Sequence, residues 1–160
     1  MLRALLVGWV NKRMTYSGIK FVLDLEACLF YSDAGGNLKA SLFERAKEER
    51  IAVTKEVFDQ VRGFDKDLAD EIKASAIEIV ELDSDIYFAA GALNDIYMTS
   101  GHRLNAAANE KVPVIALVHC AQNGSKPPCH LVSNDTGTHS SSMRSLCAAL
   151  SIPFLEVTKF

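Results

Sequence analysis

The sequence predicts a three-layer α/β/α sandwich around a mainly parallel sheet. Short apolar runs of strand length alternate along the chain with longer amphipathic stretches, the pattern of a parallel sheet covered by helices. The first strong run, beginning at Lys20, is apolar without alternation up to Asp24, as suits a strand buried on both faces. The 160 residues fit one domain, with residues 1–19 as an N-terminal extension and 20–157 as the core.

The elements follow in order. Residues 20–30 read as the clearest strand, and 32–37, with two glycines, as a loop. Residues 38–50 form an amphipathic helix with Leu38, Leu42, Phe43 and Ala46 on one stripe. A short strand at 50–53 leads to Thr54, which caps a helix stopped by Gly63. A polar-faced helix at 65–75 precedes an alternating strand at 77–82. Asp83 or Ser84 caps the next helix, which runs to Gly101. Residues 102–111 read as a further helix, 112–120 as a core strand and 121–129 as a polar loop. The chain closes with a strand at 130–135, a helix at 140–151 and a strand at 152–157.

Composition narrows the classes. Hydrophobic residues make up 49% and charged residues 23%, which describes a globular chain rather than a disordered one. The net charge of -3 provides no general field for nucleic acid. Four cysteines, Cys28, Cys120, Cys129 and Cys147, form no disulfide framework, so a reducing, cytoplasmic setting is expected. The apolar residues 4–10 are too few to span a bilayer and read as a helix or strand packed on the domain, with Met14 as an alternative start. No Gly-x-Gly-x-x-Gly follows a strand, and neither a P-loop nor a Gly-x-Ser-x-Gly elbow is present. These absences argue against a dinucleotide enzyme, an NTPase and an α/β-hydrolase.

Folds of this class bind ligands beyond the carboxyl ends of their strands. Asp24 and Asp135 both lie at such ends. Two carboxylates converging from separate strands repel one another, and a divalent cation such as Mg²⁺ relieves the repulsion. The alternative is that each acid caps a following helix or accepts loop amides. Ser133, Asn134 and Thr136 surround Asp135, either orienting its carboxylate and touching a phosphate or simply forming a turn. His119-Cys120 and Cys129-His130 offer zinc-type ligands, but their spacing matches no common zinc motif, so zinc is not expected. Tyr87, Phe88, Tyr97 and Met98 lie on one helix as core residues or as a partner face.

Three segments together resemble PIN-like domains, metal-dependent nucleases that include the toxins of many toxin–antitoxin pairs. They are Phe21-Val22-Leu23-Asp24; Ile51-Ala52-Val53-Thr54 with Val57, Gln60 and Val61; and Leu131-Val132-Ser133-Asn134-Asp135 with Leu150 and Ile152-Pro153 downstream. The resemblance spans residues 20–157. It implies an endoribonuclease that hydrolyses phosphodiester bonds with Mg²⁺ or Mn²⁺ held by four acids. Asp24 then matches the first acid and Asp135 the last, while the second position falls on Gln60 and the third near His102, neither of them acidic. Glu56, one turn before Gln60, and Glu26, two residues after Asp24, are the substitute acids, with Asp59 and Asp95 nearby. A rearranged site would use Asp24 and Asp135 as metal ligands and catalytic groups, with Glu26 as a metal ligand and Glu56 as a catalytic acid. The alternative is a degenerate PIN-like module that binds RNA or a protein without cleavage. A cognate antitoxin and a homodimer are the partners the resemblance implies, with no membrane. A receiver-like domain phosphorylated at Asp24 is more remote, because Lys111 and Lys126 are poorly placed for it.

Overall fold

The computed structural model describes residues 16–102, 104–122 and 128–160. The N-terminal reading of residues 4–10, the Met14 alternative and most of the 121–129 loop lie outside them. Among the described residues the elements run β1 (Phe21–Leu23), α1 (Leu25–Asp33), α2 (Gly36–Glu48), β2 (Ile51–Thr54), α3 (Lys55–Phe64) and α4 (Lys66–Ala74). The second half continues with β3 (Glu78–Val80), α5 (Ser84–Thr99), α6 (Ala106–Gln122), β4 (His130–Ser133), α7 (Met143–Ala149), β5 (Phe154–Glu156) and a 3₁₀ turn at Val157–Lys159.

All five strands are parallel, in the order β3-β2-β1-β4-β5. The chain lays β1, β2 and β3 outward in one direction, then returns to the other side of β1 for β4 and β5. The order therefore reverses between β1 and β4, which pair in the register Phe21↔His130, Val22↔Leu131 and Leu23↔Val132. That register sets Asp24 beside Ser133, just past the carboxyl ends of two neighbouring strands. The helices pack in two groups, α1 against α3 and α3 against α4, and α6 against α5, α7, β1 and β4.

Several elements differ from the sequence expectation. The run at 20–30 is a strand only as far as Leu23. Asp24 then accepts the amide of Ala27 and starts α1, whose apolar residues Ala27, Cys28 and Tyr31 are buried. A buried helix that follows a buried strand has no polar break, so the two read as one run. Residues 112–120 are not a strand but the second half of α6, which continues through Pro113. Val112, Val114, Ile115, Ala116, Leu117 and Val118 are all buried, because α6 is enclosed by α5, α7 and the sheet. A helix covered on every side loses its amphipathic period and is indistinguishable by pattern from a core strand. The helix expected at 102–111 correspondingly begins only at Ala106, and α3 passes Gly63 to end at Phe64.

The caps at Thr54 and Asp83 were more legible: Thr54 accepts the amide of Val57 and Asp83 that of Ile86. Asp65, which the sequence reading did not single out, accepts that of Leu68. Gly101, at φ 82°, closes α5 in the left-handed region. Ser151 occupies the same region at φ 53° where α7 turns into β5, although it carries a Cβ. Ser151→Gly is expected to raise stability by about 1 kcal/mol, read as an upward shift of the urea midpoint with an unchanged slope.

Candidate functional site

Asp24 reaches the carboxyl edge because β1 ends there, and it remains only 3% exposed. Its two oxygens are both engaged. Oδ1 accepts the Ala27 amide at 2.8 Å and Oδ2 accepts the Ser133 hydroxyl at 2.5 Å. Ser133, itself fully buried, in turn accepts the Asp135 amide at 2.9 Å. One hydroxyl thus links the end of β4 to the end of β1. Burial pushes the Asp24 carboxyl up to about 7, against the lowering effect of the Ser133 and Ala27 donors, with Glu26 and Asp135 adding like-charge repulsion.

Asp135 is less enclosed and behaves oppositely. Its Oδ2 accepts Lys111 Nζ at 2.7 Å and the Met143 amide at 2.8 Å. Partial burial raises the Asp135 pKa, but the Lys111 ammonium, the Met143 amide and the field of His139 outweigh it, so the carboxyl lies below the usual range. Lys111 Nζ also donates to the Ser141 carbonyl at 2.8 Å. Ser142 then caps α7 through the Ser145 amide and donates to the Gly137 carbonyl, closing the 135–143 turn on itself.

The other expected site residues do not join this pair. Glu26 is not on the same side of a strand as Asp24, because it lies in the first turn of α1. Its exposed side chain lines a groove with Leu29, Phe30, Asp33, Ala34, Leu38 and Asn134. Glu56 is exposed on α3 and accepts the Tyr87 hydroxyl at 2.7 Å. Gln60, one turn on, is also exposed. Asp59 pairs with Lys55 and Arg62, and Asp95 is exposed on α5. Asn134 is exposed, and the Thr136 carbonyl accepts Arg144. His102 packs edge-on against the Tyr97 ring, with its Nδ1 buried and unpartnered, beyond the end of α5 rather than at the site. His119 and Cys120 lie on α6, whereas Cys129 and His130 lie at and just before the start of β4.

Lys111 was weighed in the sequence only for a receiver-like domain, and its place at this site was missed. Once 106–122 is one helix, α6 is the helix preceding β4, and the side chain it delivers to Asp135 is an ammonium. Its Nζ lies 2.7 Å from Asp135 Oδ2. Helical spacing from Lys111 to the buried Val114, Ile115 and Val118 was the available signal, obscured by the all-apolar run that follows.

This donor set does not fit a hard divalent cation. Such an ion needs several anionic oxygens with free lone pairs. Here one carboxylate is neutralised by a lysine, and the other is buried at 3% exposure with an internal donor on each oxygen. Among the described residues no group of three or more His, Cys, Asp or Glu side chains is placed to hold a metal. No helix among them is long and apolar enough to cross a membrane.

The fold itself has close parallels. A chain of the VapBC2 complex from Rickettsia felis, solved bound to a DNA fragment from their promoter, superposes with a TM-score of 0.61 at 16% identity, over 86% of this chain and 98% of that one. A chain of DNA-bound VapBC from Salmonella typhimurium gives 0.57 at 15% identity, over 87% and 98%. No protein-family model matches the sequence, and no curated protein matches it. With its five parallel strands and enclosing helices, the chain has a PIN-like fold.

The two acids pull the pH dependence of stability in opposite directions. Asp24 has a folded value near 7, above that of an unfolded carboxyl, so its contribution is full below about pH 4 and is lost as pH rises through 7. Asp135 is shifted down, so its contribution is present at neutral pH and is lost on acidification. Asp24→Asn is expected to remove the decline between pH 4 and 8, a gain at pH 8 of up to ~4 kcal/mol relative to the parent. Chemical denaturation at both pH values measures it.

Proposed function

We propose that this chain is a degenerate PIN-like module that works by binding a protein partner rather than by cutting RNA. The observation that carries this reading is the 2.7 Å contact between Lys111 Nζ and Asp135 Oδ2. A metal-dependent nuclease draws its ions with uncompensated carboxylates. In this chain the last acid already has its counter-charge, and of the substitute acids Glu56 accepts the Tyr87 hydroxyl while Glu26 is exposed on α1. The endoribonuclease reading would require Asp135 to be released and a third carboxylate to be brought in.

The outer side of α5 supports a protein as the ligand. Its inner side, Ile86, Ala90, Leu93 and Tyr97, is buried, yet Phe88 is 82% and Met98 69% exposed, with Tyr87 and Ile96 also open. Large exposed apolar side chains gathered on one helix mark interaction surfaces. Both structural relatives were solved as VapBC complexes on DNA, so an antitoxin-like chain or a second copy is the partner class. RNA is the less favoured ligand at a net charge of -3.

Purified protein incubated with single-stranded RNA and Mn²⁺ or Mg²⁺ is expected to produce no cleavage above the metal-only control. Cleavage that disappears in Asp24→Asn and Asp135→Asn would sink the reading. In light scattering, a concentration-dependent mass that falls to the monomer in Phe88→Glu would identify a second copy as the partner on α5.

A further inference from the structure

We infer that the Lys111 ammonium is the resident cation of this site: it holds the 135–143 turn to the sheet edge and closes the strand-end carboxylates to divalent ions. The inference rests on the degenerate reading above and deepens it, because it states what replaced the metal and what the replacement does.

The geometry is that of a three-point tie. The Lys111 backbone is fixed by α6, whose buried Val112, Val114 and Ile115 follow it directly and whose helix packs on β1 and β4. Its Nζ reaches Asp135, two residues past β4, and the Ser141 carbonyl, two residues before α7. The same Asp135 oxygen takes the first amide of α7 from Met143. One ammonium therefore joins a helix, a strand end and the start of the next helix. Its side chain is 22% exposed and that of Asp135 16%, so the pair is poorly screened and its geometry matters.

A divalent ion approaching Asp135 would meet this charge at contact distance. It would have to displace a competitor that is covalently tethered and so present at high effective concentration. Asp24 offers no alternative, since its oxygens serve Ala27 and Ser133. The lysine thus performs the structural half of a metal's work, cancelling carboxylate charge and ordering the turn, without the chemistry of activating water.

The test uses the full chain with Mn²⁺ as the probe, followed by calorimetry and thermal melting. Wild type is expected to bind no Mn²⁺ and to melt at the same temperature with Mn²⁺ or with chelator. Lys111→Met, which keeps the aliphatic stem and removes the charge, should lower the melting midpoint by about 5 °C and speed amide exchange at Asp135 and Met143. Lys111→Asp should bind Mn²⁺ at least about tenfold more tightly than wild type, equivalent to ~1.4 kcal/mol, and regain stability with the metal. If Lys111→Asp does not fold, Lys111→Gln takes the metal arm, with Mn²⁺ binding expected to rise above wild type. Mn²⁺ binding by wild type that is lost in Asp135→Asn overturns the inference, as does Lys111→Met melting with the parent. Wild type that binds Mn²⁺ without cutting RNA would defeat this inference alone. RNA cleavage by metal-free wild type would defeat the proposed function alone.

Discussion

A carboxyl group at the end of a buried strand must be given donors or a proton, and the carboxyl edge of this sheet is organised around meeting that demand at Asp24. The parallel register of β1 with β4 brings Ser133 alongside, and its hydroxyl satisfies one oxygen while the first turn of α1 satisfies the other. Ser133 can serve only because it also accepts the Asp135 amide, which fixes its orientation. From that point the turn after β4, the placement of Asp135 and the start of α7 follow. The cost of burying one acid thus sets the conformation of residues well beyond it.

Much of the fold was legible because its strongest signals are local. Side-chain caps at Thr54 and Asp83 depend on a few residues each, and helices with one wet face, such as α3 and α4, announce their period. The parallel class followed from the alternation of elements. What misled was burial on all sides. In α6 and in α1 after Asp24, the solvent no longer imprints a period on the sequence, so a helix and a strand look alike.

The site shows the same division. Asp24, Ser133 and Asp135 lie at strand ends that the pattern located, and they do meet. Each accepts a helix amide, Asp24 from Ala27 and Asp135 from Met143, as the capping reading has it. Glu26 was placed on a strand side that ends at Leu23, and Glu56 shares the exposed face of α3 with Gln60 and accepts the Tyr87 hydroxyl. Lys111 was hidden because its role depends on α6 being one helix, the element most poorly marked in the sequence. The fold shared with chains of VapBC complexes does not by itself set the charges at these strand ends.

The pairing of β1 with β4 also bears on how the chain is made. Asp24 and Ser133 are 109 residues apart, so the central strand keeps one edge unpaired until β4 has been synthesised. Parallel contacts of such long separation form slowly, since a large loop must close before any bond rewards it. The β1-β2-β3 half can assemble earlier on the ribosome, with an open apolar edge facing outward. Residues 130–133 are therefore the ones that cover this edge, and the nascent chain is most exposed to mispairing before they arrive.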